Sequence, residues 1–211
     1  EKLATLEGGR GGTVTSSGHA AETLVLFPLM APGMEVIVSN KLYGGTINLM
    51  GKSFRKFGWN AVFVDNDNPE AFRAAVTEKT RAIFVESLAN PGGVIVDLEA
   101  IAKIAQEAEV PLIVDNTMAT PWLCRPFEWG ADLVVHSTTK FLSGQGNAMG
   151  GIVIDSGRFP WFGNAKYPSL SEPCPDYNGL TFAETFGDMA FTLYSHAVSL
   201  RDLGCTQSPM N

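Results

Sequence analysis

Short apolar runs rich in valine and isoleucine alternate along the chain with stretches of helical period, the pattern of strands joined by crossover helices into a mostly parallel sheet. The runs at 35–39, 61–65, 82–86, 112–115, 133–136 and 151–154 predict strands, each ending near a polar residue or a turn. Helical period predicts helices over 18–30, 46–57, 70–75 and 98–108. In the last, Leu98, Ile101, Ala102, Ile104, Ala105 and Ala108 fall along one face that can cover a sheet. The expected class is α/β, with a mostly parallel sheet flanked by helices.

The longest stretch without a clear period is 155–186, which contains Pro160, Pro168, Pro173 and Pro175. An ordered segment of that length is usually functional or part of an interface, and its aromatics could simply cover a subunit contact. A helical pattern resumes over 185–203 with Phe186, Met189, Ala190, Leu193 and Ala197. The expected division is one large domain over 1–187, carrying 155–186 as an insertion, with 188–211 leading toward a further C-terminal domain.

With 211 residues, 45% of them hydrophobic and 18% charged, the chain can bury a core, which excludes a disordered tail. A net charge of -7 has the wrong sign for gathering phosphate backbones, so no nucleic-acid partner is expected. The three cysteines, Cys124, Cys174 and Cys205, are widely spaced and fit neither a disulfide framework nor a zinc site; no metal is expected, and a reducing cytoplasm is the expected location. The most apolar stretch, 24–30, is interrupted by Pro28 and falls short of the ~20 residues of a membrane-spanning helix, so no membrane partner is expected. No targeting peptide is apparent after Glu1, and the chain is expected to be a fragment.

The chemistry concentrates where strands end. From Val134 the chain passes through His136, Ser137, Thr138 and Thr139 to Lys140, then into a small-residue turn at Gly144. A lysine directly after a buried strand is unfavourable unless its amine is neutralised, bonded or carried into water. A Schiff base would meet the condition, and so would a stem laid along the strand end. Leu112, Ile113 and Val114 run into Asp115, Asn116 and Thr117. In a parallel sheet these two strand ends share the carboxyl edge, where open α/β folds keep their ligands. A carboxylate for a pyridinium nitrogen and a lysine for an aldehyde carbon are what pyridoxal phosphate requires, although Asp115 could equally be a turn cap.

Thr15, Ser16, Ser17, Gly18 and His19 form a small, hydroxyl-rich entry to a helix whose first N–H groups could hold a phosphate; Ser17 also suits an ordinary N-cap. Ser137 and Thr139 could add hydroxyls. Tyr43, just before Gly44 and Gly45, could stack on a flat ring or merely pack beside a turn. Asn90 sits in an Asn-Pro-Gly turn after Glu86, Ser87, Leu88 and Ala89, and could reach the phenolic oxygen of such a cofactor. His136 reads as a packed strand-end histidine and His196 as structural. The glycine-rich stretch from Gly144 to Gly150 has the wrong spacing for a dinucleotide fingerprint, and a strand follows it.

Taken in order, SSGHAA, YGGT, ESLANP, VDNT and HSTTKFLSG resemble the cystathionine-synthase-like family of pyridoxal-phosphate enzymes of cysteine and methionine metabolism, over nearly the whole chain. The resemblance implies the type I, aspartate-aminotransferase-like fold. It implies that Lys140 bonds covalently to the cofactor, that Asp115 meets the ring nitrogen, Tyr43 the ring face and Asn90 the ring oxygen. By the same resemblance Gly18, His19, Ser137 and Thr139 hold the phosphate, with Ser17 in the same cradle. His19 stands where the family commonly has methionine, and its backbone N–H keeps the role.

Residues 157–164, 167–173, 177–179 and 182–187 resemble the long insertion of the O-acetylhomoserine sulfhydrylases within that family. This implies γ-replacement chemistry: O-acetyl-L-homoserine plus sulfide, or a small thiol, gives homocysteine, or methionine, plus acetate. Lys140 would be the proton shuttle, assisted by Tyr43. A γ-lyase or cystathionine synthase on the same scaffold would keep every cofactor residue. An incomplete, non-catalytic binding or assembly module is the alternative of another class, since the family also draws on a neighbouring subunit's arm and on a C-terminal domain. The implied partners are the amino-acid ester, the sulfide or thiol, and further copies in a homodimer or homotetramer.

Overall fold

The computed structural model describes residues 1–210. Seven strands, β1 (Gly11–Thr15), β2 (Glu35–Ser39), β3 (Asn60–Val64), β4 (Thr80–Glu86), β5 (Leu112–Asp115), β6 (Leu133–His136) and β7 (Gly151–Asp155), form a sheet of order β1-β7-β6-β5-β4-β2-β3. The principal helices are α1 (Lys2–Glu7), α2 (Gly18–Leu26), α3 (Gly44–Asn48), α4 (Pro69–Ala75) and α5 (Leu98–Glu107). The chain divides into two compact units, Met30–Val134 and the pair Glu1–Leu29 with Val135–Asn211.

In the unit Met30–Val134, β2 pairs in parallel with β3 and β4, and β4 in parallel with β5. A sheet covered on both faces asks for continuous apolar strands rather than alternation. Ile83, Phe84, Val85, Leu112, Ile113 and Val114 are all completely buried, each contributing roughly 1.5–3 kcal/mol by leaving water. α5 begins at an Asp97 cap, whose carboxylate accepts the Ala100 N–H at 3.0 Å, and buries Leu98, Ile101, Ile104 and Ala105. The helix expected over 46–57 is instead α3, then a wider π turn at Leu49–Ser53 and a 3-10 turn at Phe54–Phe57. Gly51 lies inside that stretch, where a Cβ would come within 3.3 Å of the Phe63 ring.

The other unit holds two elements that periodicity does not announce. β1 is antiparallel to β7, from Gly11 opposite Asp155 to Thr15 opposite Gly151. Its glycines hide it from an apolar count, yet packing requires them: a Cβ on Gly11 would stand 2.9 Å from the Thr192 hydroxyl. α1 is closed by Gly8 at φ 79° and buries Glu7. α2 stops at Leu26 rather than running to residue 30, because Pro28 has no N–H to continue the ladder.

The segment 155–186 contributes large side chains to the core. Trp161, Tyr167, Leu170 and Phe182 are buried with Phe191, and Trp161 meets Tyr167 edge-on at 5.2 Å and Phe191 in a stack at 5.5 Å. Short helical turns at Pro168–Ser171 and Pro175–Tyr177 break up the stretch. From Phe182–Phe186, at the end of the segment, through Arg201–Leu203 the chain is helical, passing through a π turn at Ser195–Leu200. Among the described residues, no helix is long and apolar enough to cross a membrane.

Candidate active site

Two clusters of the candidate residues form, one in each unit. In the unit Glu1–Leu29 with Val135–Asn211, Ser17 caps α2, its Oγ accepting the Ala20 N–H at 3.1 Å. That bond serves the third N–H of the helix; those of Gly18 and His19 precede it at the positive end of the helix dipole. Gly18 is required here: a Cβ would come within 2.7 Å of the Ser137 Cβ, so only glycine brings the helix start against the end of β6. The His19 side chain is exposed, and its backbone N–H lies in the first turn of α2.

Thr139 makes a reciprocal pair with Gly150: its hydroxyl donates to the Gly150 carbonyl and accepts the Gly150 N–H, both at 3.1 Å. Its hydroxyl proton is therefore spent on the loop. Lys140 is pinned by its backbone, its N–H donating to the Ser137 carbonyl at 3.3 Å and its carbonyl accepting the Ser143 hydroxyl at 3.1 Å. The side chain is exposed, and its Nζ makes no hydrogen bond or ion pair among the described residues. The strand end beneath is braced by His136, fully buried, whose Nε2 lies 2.5 Å from Glu7 Oε1.

In the unit Met30–Val134, the carboxyl ends of β4 and β5 place Glu86 and Asp115 side by side in register. Asp115 Oδ1 accepts the Thr117 N–H at 2.8 Å, and the buried Asn116 accepts the Ser87 hydroxyl at 2.7 Å while donating to the Cys124 carbonyl. Glu86, 5% exposed, accepts the Tyr43 N–H on Oε1 at 2.6 Å and the Asn90 N–H on Oε2 at 3.0 Å. Burial, and then the charge of Asp115, push its pKa from 4.5 to about 7, against the pull of those two N–H groups. The Tyr43 side chain is 48% exposed, and the space where a Gly44 Cβ would stand is open.

Sequence reasoning singled out Tyr43, Asn90 and Asp115 separately, and the structure gathers all three around Glu86, to which no role was given. The signal was present in a carboxylate closing an apolar strand four residues before Asn90. Gly151 was also passed over: a Cβ there would overlap the Ser17 carbonyl oxygen at 2.1 Å.

These residues fit pyridoxal phosphate. In one unit the approach at Gly18 is a cradle that any larger residue would fill and the Lys140 amine is unengaged; in the other, a Cβ on Gly44, next to Tyr43, would meet nothing. The mostly parallel sheet flanked by helices is the fold of type I pyridoxal-phosphate-dependent enzymes. Residues 1–211 match the model of the Cys/Met metabolism PLP-dependent enzymes, and the chain belongs to that family.

The chain is 46% identical to O-acetyl-L-homoserine sulfhydrylase of Leptospira meyeri, over 100% of this chain and 49% of the relative. It is 41% identical to homocysteine/cysteine synthase of Saccharomyces cerevisiae, over 99% of this chain and 48% of the relative. A Campylobacter jejuni protein assigned as an O-acetylhomoserine (thiol)-lyase, whose crystal structure carries a pyridoxyl-lysine phosphate, superposes with a TM-score of 0.96 at 38% identity; the match covers 100% of this chain and 52% of that one. The chain thus spans about half the length of the relatives it matches.

Proposed function

We propose that the protein is a pyridoxal-phosphate-dependent transferase converting O-acetyl-L-homoserine and sulfide, or a small thiol, into homocysteine, or methionine, and acetate. The observation that carries this reading is the unengaged Lys140 amine on a backbone held at both its N–H and its carbonyl, in a chain 46% identical to an O-acetyl-L-homoserine sulfhydrylase. Lys140 is the residue that bonds to the cofactor. Ser17, Gly18, His19, Ser137 and Thr139 form the phosphate cradle, Thr139 by holding the loop through Gly150. Tyr43 would cover the ring, Asn90 would meet its oxygen, and Asp115 would hold a proton on its nitrogen.

Bound pyridoxal phosphate supplies an electron sink for negative charge developing at the α and β carbons of the substrate. The protein's part is positional. The Lys140 amine moves a proton from the substrate α carbon and serves the β carbon in turn, while its pinned backbone keeps the reach constant. Tyr43 shields these carbons from water and assists the transfer. Acetate leaves from the γ carbon, and the sulfur nucleophile bonds there.

Residues 1–187 form the cofactor-binding domain in this proposal, and 188–211 a connecting segment that leaves it. Free thiols at Cys124, Cys174 and Cys205 suit a reducing cytoplasm. Exposed Trp122, Ile95 and Leu123, at 90%, 78% and 72%, support assembly into a homodimer or homotetramer.

Borohydride reduction of the cofactor-loaded protein, followed by peptide mass analysis, should place a pyridoxyl group on Lys140; a label elsewhere, or none, removes the assignment. Steady-state turnover of O-acetylhomoserine with sulfide should exceed that of cystathionine. Cleavage of cystathionine with the ester ignored would make the protein a lyase instead.

A further inference from the structure

Glu86 has a buried carboxylate that the proposed chemistry leaves idle. An ionisable group at 5% exposure is unfavourable unless its oxygens are bonded, and both are, each to a backbone N–H. One belongs to Tyr43, at the entry to α3, and the other to Asn90, in the loop leaving β4. Tyr43, 43 residues before Glu86, and Asn90, four residues after it, are thus joined to one side chain. Because both ties run to main chain, they fix where the two residues stand while leaving the phenol and the amide for other partners.

We propose that Glu86 is a positioning residue that locks Tyr43 and Asn90 into one rigid pair, so that ring and amide meet a planar pyridine ligand in a fixed relation. The proposal rests on Tyr43 and Asn90 being cofactor contacts, as argued above. Register adds a second effect. Glu86 stands opposite Asp115 on β5, so its negative charge deepens the potential there and favours a cationic ring nitrogen. Burial first, and the neighbouring Asp115 charge second, raise the Glu86 pKa, so a cation seated between the strand ends would favour its ionised form.

Two measurements on the full-length protein test this, using Glu86→Gln, which keeps the shape but turns one acceptor into a donor. Hydrogen exchange read by mass spectrometry should show the Tyr43 and Asn90 amides exchanging about tenfold faster in the variant, the consequence of losing a charge-assisted bond. The dissociation constant for pyridoxal phosphate should rise about tenfold on the same grounds, and the visible circular dichroism of the bound cofactor should weaken. A brace that served folding alone would leave that dichroism unchanged.

Should the variant fail to fold, the wild type decides. Relative to intrinsic rates, protection of both amides should change together, by the same factor, between about pH 5 and about pH 8 as Glu86 ionises. Amides that respond independently of one another overturn the proposal. Cofactor uptake with affinity and dichroism unaltered in Glu86→Gln overturns the role of Glu86 alone; a wild-type protein that takes up no pyridoxal phosphate overturns the functional reading and this role together.

Discussion

Lys140 and Glu86 sit at opposite extremes of side-chain environment, and the roles proposed for them draw on both. The lysine is exposed, its amine unengaged, its backbone held at N–H and carbonyl. The glutamate is buried, doubly bonded and beside another carboxylate. Its pKa of about 7 in the folded protein, against 4.5 when free, means that the native state holds its proton longer than the unfolded chain does. Stability from this group is therefore fully present below about pH 4.5 and declines as pH rises toward 7, by roughly 3 kcal/mol over the window. Glu86→Gln has no such titration. Urea unfolding of both proteins at about pH 5 and about pH 8 should show the wild type losing stability relative to the variant by a few kcal/mol; a constant difference would mean that the carboxyl titrates normally.

At the scale of elements, close backbone approaches decide the local architecture. β7 runs against the Ser17 segment so tightly that Gly151 has no room for a methyl group. Gly151→Ala would drive a Cβ into a main-chain oxygen that cannot swing aside, and should destabilise by about 3 kcal/mol or more, read as a lower urea midpoint with the slope unchanged. The same kind of contact explains which elements were legible. β2, β5 and β6 have the bounds that their apolar runs predict, and β3, β4 and β7 differ only at their ends, since strands covered on both faces write their burial directly into composition. β1 did not announce itself, because Gly11 and Gly12 answer to neighbours distant in the chain. The aromatics of 155–186 were legible as residues but not as core: nothing local distinguishes a tryptophan that will stack on Phe191 from one left in water.

At the scale of the whole molecule, the family assignment makes cofactor and folding linked equilibria. A ligand that binds only the folded chain adds about 2.7 kcal/mol of stability at a hundredfold excess over its dissociation constant. Thermal unfolding of the full-length protein should accordingly shift upward with added pyridoxal phosphate and not with inorganic phosphate at the same concentration; equal shifts would reduce the site to an anion cradle. The chain's own pattern determined the α/β class, the run of parallel strands, the lysine and aspartate at strand ends and the capped start of α2. Each is written within a few neighbouring residues, where periodicity and turn chemistry operate. The gathering of Tyr43, Asn90 and Asp115 around Glu86, the bracing of His136 by Glu7, and the need for glycine at 18 and 151 were decided only in three dimensions. A hydrogen bond or a steric limit between residues far apart in the chain comes into being only when the backbone has brought them together.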